Sequence, residues 1–197
     1  MLVSYGLLGL VSLAIDVAMT RLRFPKSRLM RRPFYIRGRR WIALGPGFTC
    51  GRGLRMDALG ESSTTGPLIR IGSDVAMNDY VHIGAVESVS IGDRVLIASK
   101  VFISDHNHGS YGNGGVHSDP RTAPYERQLS ASPVVIEDDV WLGELVSVLA
   151  GVRIGKGSII GTMSTVTQNI PPYSIAVGSP ARVIKQFNFA NGMWERV

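Results

Sequence analysis

The chain has 197 residues, of which 45% are apolar and 18% are charged, and this composition excludes a disordered chain. Its single cysteine, Cys50, excludes a disulfide within the chain, suits a reducing compartment and is expected to fill apolar space. The net charge of +6 is concentrated in residues 1–40, which hold nine Lys or Arg residues and one acid, so a basic surface belongs to the N-terminus alone.

Residues 5–20, YGLLGLVSLAIDVAMT, form an apolar run interrupted by Asp16 and two glycines. The run is shorter than the roughly twenty residues of a membrane span, and basic residues follow it instead of preceding it as in a signal peptide. Residues 1–40 are therefore predicted to form a basic, amphipathic helical segment. It lies either on a membrane surface near anionic head groups or against the main domain or another subunit. No nucleic-acid-binding motif accompanies the basic residues, so no nucleic-acid partner is expected.

From Ile71 onward the sequence repeats every six residues. Three hexapeptides (IGSDVA, MNDYVH, IGAVES) begin at Ile71, three more (IGDRVL, IASKVF, ISDHNH) begin at Ile91, and the series resumes at Ile136 and continues to Pro171. Each opens with Ile, Leu, Val or Met, and weaker repeats begin at Ile42. This period matches neither an amphipathic helix nor an alternating strand. It is the signature of a parallel β-helix, in which the first residue of each repeat points inward and stacked coils bury one apolar column.

Two further motifs accompany the repeats: VWLG at Val140–Gly143 and IPPYSIAVGSPARVIKQF at Ile170–Phe187. With them, residues 42–187 resemble the hexapeptide-repeat acyltransferases. The stretch NDYVHIGAVESVSIGDRVLIASKVFISDHNHG, together with MWERV at the C-terminus, is most similar to O-acetyltransferases of bacterial lipopolysaccharide O-antigen and exopolysaccharide biosynthesis.

The resemblance implies a mainly β fold with a left-handed parallel β-helix over residues 41–187. The helical segment 1–40 would precede it and a C-terminal extension, 188–197, would follow. Handedness is taken from the resemblance alone, because the general rule for crossovers is right-handed. The resemblance also implies a homotrimer, acetyl-CoA as co-substrate and a sugar or polysaccharide acceptor. A cytoplasmic enzyme is expected, with contact to the inner face of the cytoplasmic membrane through residues 1–40 as one of the two options above.

The repeat stops directly after a histidine pair. The inward residue after Ile103 should fall at position 109, where the chain has glycine, and residues 109–133 show no period. Such a protruding loop inside a compact fold is usually functional. The resemblance implies that it covers an active site between subunits, with His106 as the general base that takes a proton from a sugar hydroxyl. Asp105 reads as a turn residue, which leaves open what orients His106.

The resemblance assigns further residues to binding. Those expected on the acceptor side are Asn78, Asp79, His82, His108 and Trp141. Those expected on the acetyl-CoA side are Gly143, Glu144, Thr162, Thr167, Gln168 and Lys185. Gln168 stands where family members often have lysine, so a phosphate contact there is in question. Asn78 is equally consistent with a simple turn residue, and Trp141, which should point outward, is equally consistent with a subunit contact.

Three other functions compete with sugar O-acetylation. Related hexapeptide enzymes acylate amino groups of nucleotide sugars, antibiotics or serine, and the repeats do not separate these acceptors. A gamma-class carbonic-anhydrase-like enzyme would hold zinc with three histidines, but the H-x4-H spacing of its neighbouring ligands is absent, so no metal is predicted. A non-catalytic scaffold would keep the repeats and lose the base, and the presence of His106 argues against it.

Overall fold

The structure, a computed structural model, describes residues 2–112 and 117–197. It contains one α-helix, α1 (Leu2–Arg23), and two short 3₁₀ helices (Arg39–Trp41 and Pro124–Glu126). The strands are β1 (Leu29–Met30), β2 (Tyr35–Arg37), β3 (Ile42–Leu44), β4 (Thr49–Cys50), β5 (Arg55–Ala58), β6 (Ile69–Ile71), β7 (Ala76–Met77), β8 (His82–Ala85), β9 (Val89–Ile91), β10 (Leu96–Ile97), β11 (Phe102–Ser104), β12 (His106–His108), β13 (Leu129–Ala131), β14 (Val134–Ile136), β15 (Trp141–Leu142), β16 (Ser147–Val148), β17 (Arg153–Ile154), β18 (Ile159–Ile160), β19 (Thr165–Val166), β20 (Ser174–Val177), β21 (Arg182–Asn188) and β22 (Met193–Arg196).

The strands form three parallel sheets around one core. Sheet A runs β1-β4-β7-β10-β15-β18-β20 and then continues into β21 and β22; sheet B runs β2-β5-β8-β11-β16-β19; sheet C runs β3-β6-β9-β14-β17. The chain visits the sheets in turn, so that β7, β8 and β9 make one coil and each strand pairs with its equivalent in the next coil. This is the mainly β, parallel coil that the six-residue period predicts.

The core is the column of residues that open the repeats. Every one of the twelve hexapeptides begins with a side chain that is at most 4% exposed, which confirms the predicted inward positions. These residues are Ile71, Met77, Ile83, Ile91, Ile97, Ile103, Ile136, Leu142, Val148, Ile154, Ile160 and Val166. Full burial of one such side chain contributes about 1.5–3 kcal/mol, so the column supplies the main driving force for stacking the coils.

Glycine follows many of these inward residues for a reason other than backbone bending. Gly72 and Gly92 do not have left-handed φ angles. Instead, a Cβ atom at Gly72 would lie 2.6 Å from the carbonyl carbon of Gly92 in the next coil. The left-handed positions are held partly by other glycines, such as Gly47 (φ 74°), and partly by other residue types, such as Arg94 (φ 55°) and Asp139 (φ 60°), whose side chains pair across coils at 2.7 Å. The hydrogen bond from Arg94 holds the pKa of Asp139 below its ordinary value.

The N-terminal helix packs on the first coil through two polar residues. Asp16 is 3% exposed and pairs with Arg32 at 2.8 Å, and Thr20 accepts a hydrogen bond from the backbone N–H of Met30 at 2.9 Å. One side of α1 is covered by the main domain, and the other side is left for a membrane surface or another subunit. The opposite side exposes large apolar residues, and these are Leu7, Leu8, Val11, Ile15 and Leu22. No helix in the described part of the chain is long and apolar enough to cross a bilayer.

The coil extends further toward the N-terminus than the repeats indicate. β1 and β2 lie within residues 1–40 but pair in parallel with β4 and β5. The helix of that segment, α1, stands outside the sheets. The sequence interpretation missed these strands because it began the series at Ile42, although Met30 and Ile36 precede that residue by twelve and six positions. At the other end, β21 crosses residue 187 and joins β20 and β22 in antiparallel pairing, so the C-terminal extension completes sheet A.

The interruption after Ile103 is an arm with a regular base. β12 leaves the coil and pairs in antiparallel fashion with β13, so that His106 lies opposite Ala131 and His108 opposite Leu129. The predicted loop 109–133 is therefore not structureless throughout, because residues 129–131 form the return strand. Residues 113–116 of that loop lie outside the described residues. The arm begins at His106, which places this histidine where the coil surface meets the arm.

Candidate active site

A cleft of about 290 Å³ lies on the outer face of sheet B beside the base of the arm. We call it the sheet B cleft, and its lining residues are Arg37, Arg55, Asp57, Leu59, His82, Gly84, Phe102, Ser104, His106 and His108. Two rows of the parallel register form its floor. One row is Arg37–Asp57–Gly84–Ser104, and the other is Arg55–His82–Phe102. Residues in register face the same side of a sheet, so the parallel coil itself brings these polar groups together.

His106 is the most strongly positioned of the three histidines in the cleft. Its side chain is 15% exposed, and its Nδ1 atom lies 2.9 Å from Oδ1 of Asp105 and 3.3 Å from Oγ of Ser104. Gly84 leaves room for the ring, because a Cβ atom there would lie 3.2 Å from Cε1 of His106. When Nδ1–H donates to a carboxylate, the lone pair is on Nε2, which makes no hydrogen bond among the described residues. An imidazole held in this tautomer is suited to accept a proton.

Asp105 is itself fixed by the preceding coil. Its carboxylate is fully buried and accepts hydrogen bonds from the backbone N–H groups of Val86, Glu87 and Ser88 at 2.7–3.1 Å. A carboxylate that accepts hydrogen bonds from several backbone N–H groups and contacts an imidazole keeps its orientation. The sequence interpretation of Asp105 as a turn residue missed this role. The local sequence could not reveal it, because all three backbone donors lie 17 to 19 residues earlier in the chain.

A second carboxylate–histidine pair lies on the same floor. Oδ2 of Asp57 accepts a hydrogen bond from Nε of Arg55 at 2.6 Å and lies 3.2 Å from Nε2 of His82. The His82 ring lies 5.4 Å from the Phe102 ring at an interplanar angle of 60°, and the Arg55 guanidinium lies 5.7 Å from the Tyr35 ring. Sequence reasoning included His82 but missed both Asp57 and Arg55, since they precede the regular repeats and resemble ordinary surface charges.

The structure brings together part of the predicted acceptor set. His82 and His108 line the sheet B cleft with His106, and His108 is exposed on the arm. Asn78 and Asp79 lie at the corner between sheets A and B, where Oδ1 of Asp79 accepts the backbone N–H of Arg52 at 2.7 Å. Trp141 points outward from sheet A and is 48% exposed. These last three do not line the cleft within one chain.

The predicted acetyl-CoA residues lie away from the cleft in three groups. Gly143, Glu144 and Thr162 form the corner after β15 and β18, where Oγ1 of Thr162 donates to the carbonyl oxygen of Glu144 at 3.0 Å. Thr167 and Gln168 are exposed after β19. Lys185 lies on β21 opposite Ile175 of β20, and the two strands β18 and β20 separate it from Trp141 on β15. None of them lines the sheet B cleft of the same chain.

Two further chemical features bear on the site. Burial raises the pKa of the Cys50 thiol to about 12, so this thiol stays protonated in the core. This agrees with the expectation that Cys50 fills apolar space. Among residues 2–112 and 117–197, no group of three His, Cys, Asp or Glu side chains is arranged to hold a metal ion. The reactive groups in the described cleft are therefore the carboxylate–imidazole pairs and the two arginines.

Comparisons of the sequence with known proteins all point to one family. Residues 133–168 match the family of bacterial transferase hexapeptide repeats. The chain is 45% identical over 192 residues to WbbJ of Escherichia coli K12, which is named for lipopolysaccharide biosynthesis O-acetyl transfer, and the match covers 98% of this chain and 95% of that protein.

Solved structures agree. Galactoside acetyltransferase in complex with coenzyme A superposes with a TM-score of 0.55 at 30% identity, covering 80% of this chain and 68% of that one. AntD, an N-acyltransferase from Bacillus cereus, gives a TM-score of 0.69 at 20% identity over 88% and 90% of the two chains, which supports the fold alone. From the repeats, the parallel coil and the nearly full-length match to WbbJ, we conclude that the chain belongs to the hexapeptide-repeat acyltransferase family.

Proposed function

We propose that the chain is an O-acetyltransferase that moves an acetyl group from acetyl-CoA to a sugar hydroxyl of a bacterial surface polysaccharide or its precursor. The observation that carries this proposal is the His106 imidazole in the sheet B cleft, oriented through Nδ1 by the buried carboxylate of Asp105. The relative WbbJ is named for the same reaction class, and the superposed galactoside acetyltransferase binds coenzyme A.

In the proposed reaction, His106 moves one proton. Nε2 takes the proton of the sugar hydroxyl as its oxygen forms a bond with the acetyl carbonyl carbon, and the carbon–sulfur bond then breaks. The imidazolium that forms is stabilised by the Asp105 carboxylate at 2.9 Å and returns its proton to the departing thiolate of CoA. Sugar ester and free CoA are the products, so the imidazole ends in its starting form.

We further propose that the coil is left-handed and that the active enzyme is a homotrimer. The domain organisation would be the helical segment within residues 1–40, the coil with its arm over 41–187 and the extension 188–197, with β1 and β2 added to the coil. The acetyl-CoA residues and Trp141 lie away from the cleft of their own chain. In the proposed trimer, sheet A of one subunit, or the corner that follows β15 and β18, faces the sheet B cleft of the next subunit and completes the site. Asn78 and Trp141 are then contributed across the subunit boundary.

The first experiment is calorimetric titration of the purified protein with acetyl-CoA, with metal content measured on the same sample. We expect saturable binding without stoichiometric metal. Transfer is then measured on a panel of O-deacetylated surface polysaccharides and their precursors. His106→Asn should keep acetyl-CoA binding and lose transfer. Absence of acetyl-CoA binding, together with stoichiometric metal, would reject the proposal and favour a histidine–metal enzyme.

We also propose that α1 holds the enzyme on the cytoplasmic face of the membrane. Leu8, Ile15 and Leu22 are 86%, 45% and 76% exposed and recur every seven residues along one face of α1, and the basic residues Arg21 and Arg23 lie in its last turn. An apolar face flanked by basic residues suits binding at an anionic lipid surface.

Flotation with anionic lipid vesicles tests this placement. The double variant Leu8→Glu, Ile15→Glu should lose binding, since it puts two charges on the apolar face. Ile184→Glu is a matched control, because Ile184 is 40% exposed but lies on β21. If the double variant floats as well as the wild-type protein, the exposed face of α1 is not a membrane-binding surface.

A further inference from the structure

Arg37 is a cation in the sheet B cleft that the described residues leave unpaired. The guanidinium lines the cleft with His106, and no hydrogen bond or ion pair to it occurs among the described residues. Its neighbour in register, Asp57, is already engaged by Arg55 at 2.6 Å and is the only carboxylate among the described residues that line the cleft. The cleft therefore carries one more positive charge than it neutralises internally.

Arg55 adds a second guanidinium in a fixed position. Its Nε atom donates to Asp57, and its guanidinium lies 5.7 Å from the Tyr35 ring. The two Nη groups form no hydrogen bond in the described chain. A guanidinium anchored through Nε presents its remaining N–H groups in a planar fork that matches an oxyanion.

Asp57 offers a carboxylate oxygen that can accept a hydrogen bond from a ligand hydroxyl. Its side chain is 9% exposed, and Oδ1 is buried without a hydrogen-bond partner among the described residues, although Oδ2 has two. Buried polar atoms are nearly always hydrogen-bonded, so an unpaired carboxylate oxygen beside a cleft marks a position where a ligand donates.

We propose that the acceptor sugar carries an anionic group, and that Arg37 and Arg55 bind this group while Asp57 accepts a hydrogen bond from a sugar hydroxyl. The inference rests on the proposed function and names the class of its acceptor. The row Arg37–Asp57–Gly84–Ser104 crosses three strand spacings, or about 14 Å between the outer Cα atoms. A monosaccharide with one attached oxyanion fits this length, and it would place a hydroxyl near His106. The anion is either a phosphate at the linkage position, as in a sugar carried by a nucleotide or a lipid, or the carboxylate of an acidic sugar.

The test observes the arginines directly, by ¹⁵N NMR of the Nε–H groups in the full-length protein. Inorganic pyrophosphate, glucose 1-phosphate, glucuronate and methyl glucoside are titrated separately. Arg70 is the matched control, since it is exposed on β6, outside the cleft. We expect the signals of Arg37 and Arg55 to saturate with at least one anion at about ten-fold lower concentration than that of Arg70. A preference for the phosphates or for glucuronate distinguishes the two sources of the anion.

Variants give the second readout. Arg37→Gln should weaken anion binding by about ten-fold, whereas Arg70→Gln should leave it unchanged. If Arg37, Arg55 and Arg70 respond alike to every anion, the proposed subsite is refuted. Acetyl-CoA binding, measured on the same samples, separates this failure from that of the proposed function: acetyl-CoA that binds while the anions show no preference for the cleft would reject the anionic acceptor alone.

Discussion

Replacement of Asp105 by asparagine is expected to remove most acetyl transfer while preserving the fold. The carboxylate accepts the backbone N–H groups of Val86, Glu87 and Ser88 at 2.7–3.1 Å and contacts Nδ1 of His106 at 2.9 Å. In Asp105→Asn, a single oxygen remains, and the N–H groups of Glu87 and Ser88 hold it at the Oδ2 position. The amide NH₂ group then faces His106.

An imidazole that faces an N–H donor adopts the other tautomer, in which Nδ1 accepts and Nε2 carries the proton. Nε2 of His106 can then no longer take a proton from a hydroxyl. We expect kcat to fall about 10³-fold, which corresponds to about 4 kcal/mol of lost transition-state stabilisation. The free energy of unfolding should fall by about 1–3 kcal/mol, because a charged acceptor is replaced by a neutral one.

The assay measures release of CoA with an acceptor from the polysaccharide panel, and urea unfolding is followed on the same preparations. The KM for acetyl-CoA should change by no more than about two-fold, since Asp105 acts through His106. His108→Asn is the control, because His108 lines the same cleft and has no carboxylate partner among the described residues. Wild-type kcat in Asp105→Asn, combined with an inactive His108→Asn, would refute this reasoning and make His108 the base.

Three other predictions follow from the packing of the coil. Gly84→Ala places a Cβ atom 3.2 Å from Cε1 of His106 and should lower kcat by about ten-fold. Gly112→Ala, whose added Cβ has no atom of the described residues within 4 Å, should not, and equal kcat values in the two variants would contradict the close packing. Leu142→Ala should lower the free energy of unfolding in urea by about 2–5 kcal/mol, because the side chain is fully buried. Cys50, with a pKa raised to about 12 by burial, should resist a thiol reagent at pH 8 until urea unfolds the chain, and rapid labelling of native protein would show that the thiol is accessible.

The parts of the fold that follow a local rule could be predicted from the sequence. A period of six assigns one inward side chain to each side of the coil, and Ile71, Leu142 and Val166 are buried as expected. The break in that period located the arm and His106. By contrast, β1 and β2 were missed. Met30 and Ile36 continue the spacing of six before Ile42 and pack in or against the core, but so short a series is recognised only by its pairing with β4 and β5 in the next coil.

The site was predictable only in part, for the same reason. His106 directly precedes a visible break in the repeats, but Asp105 is oriented by backbone groups of the previous coil. Asp57 and Arg37 become site residues only because parallel register places them in one row with Gly84. A side chain that acts through a neighbouring coil leaves no trace in the sequence around it. The acetyl-CoA residues stay predictions, since they depend on an arrangement of subunits.

The covered ends of the coil have a consequence for solubility. A stack of parallel strands ends in unpaired backbone groups, and a second molecule can add its own strands there and grow into a fibre. In this chain β21 and β22 reverse direction at one end of sheet A, while α1 is fastened to β1 at the other end by the Thr20–Met30 hydrogen bond. A foreign strand that approaches in the parallel sense therefore meets an antiparallel hairpin or a helix. These two elements limit polymerisation along sheet A, and so help to keep a repetitive sequence as discrete molecules.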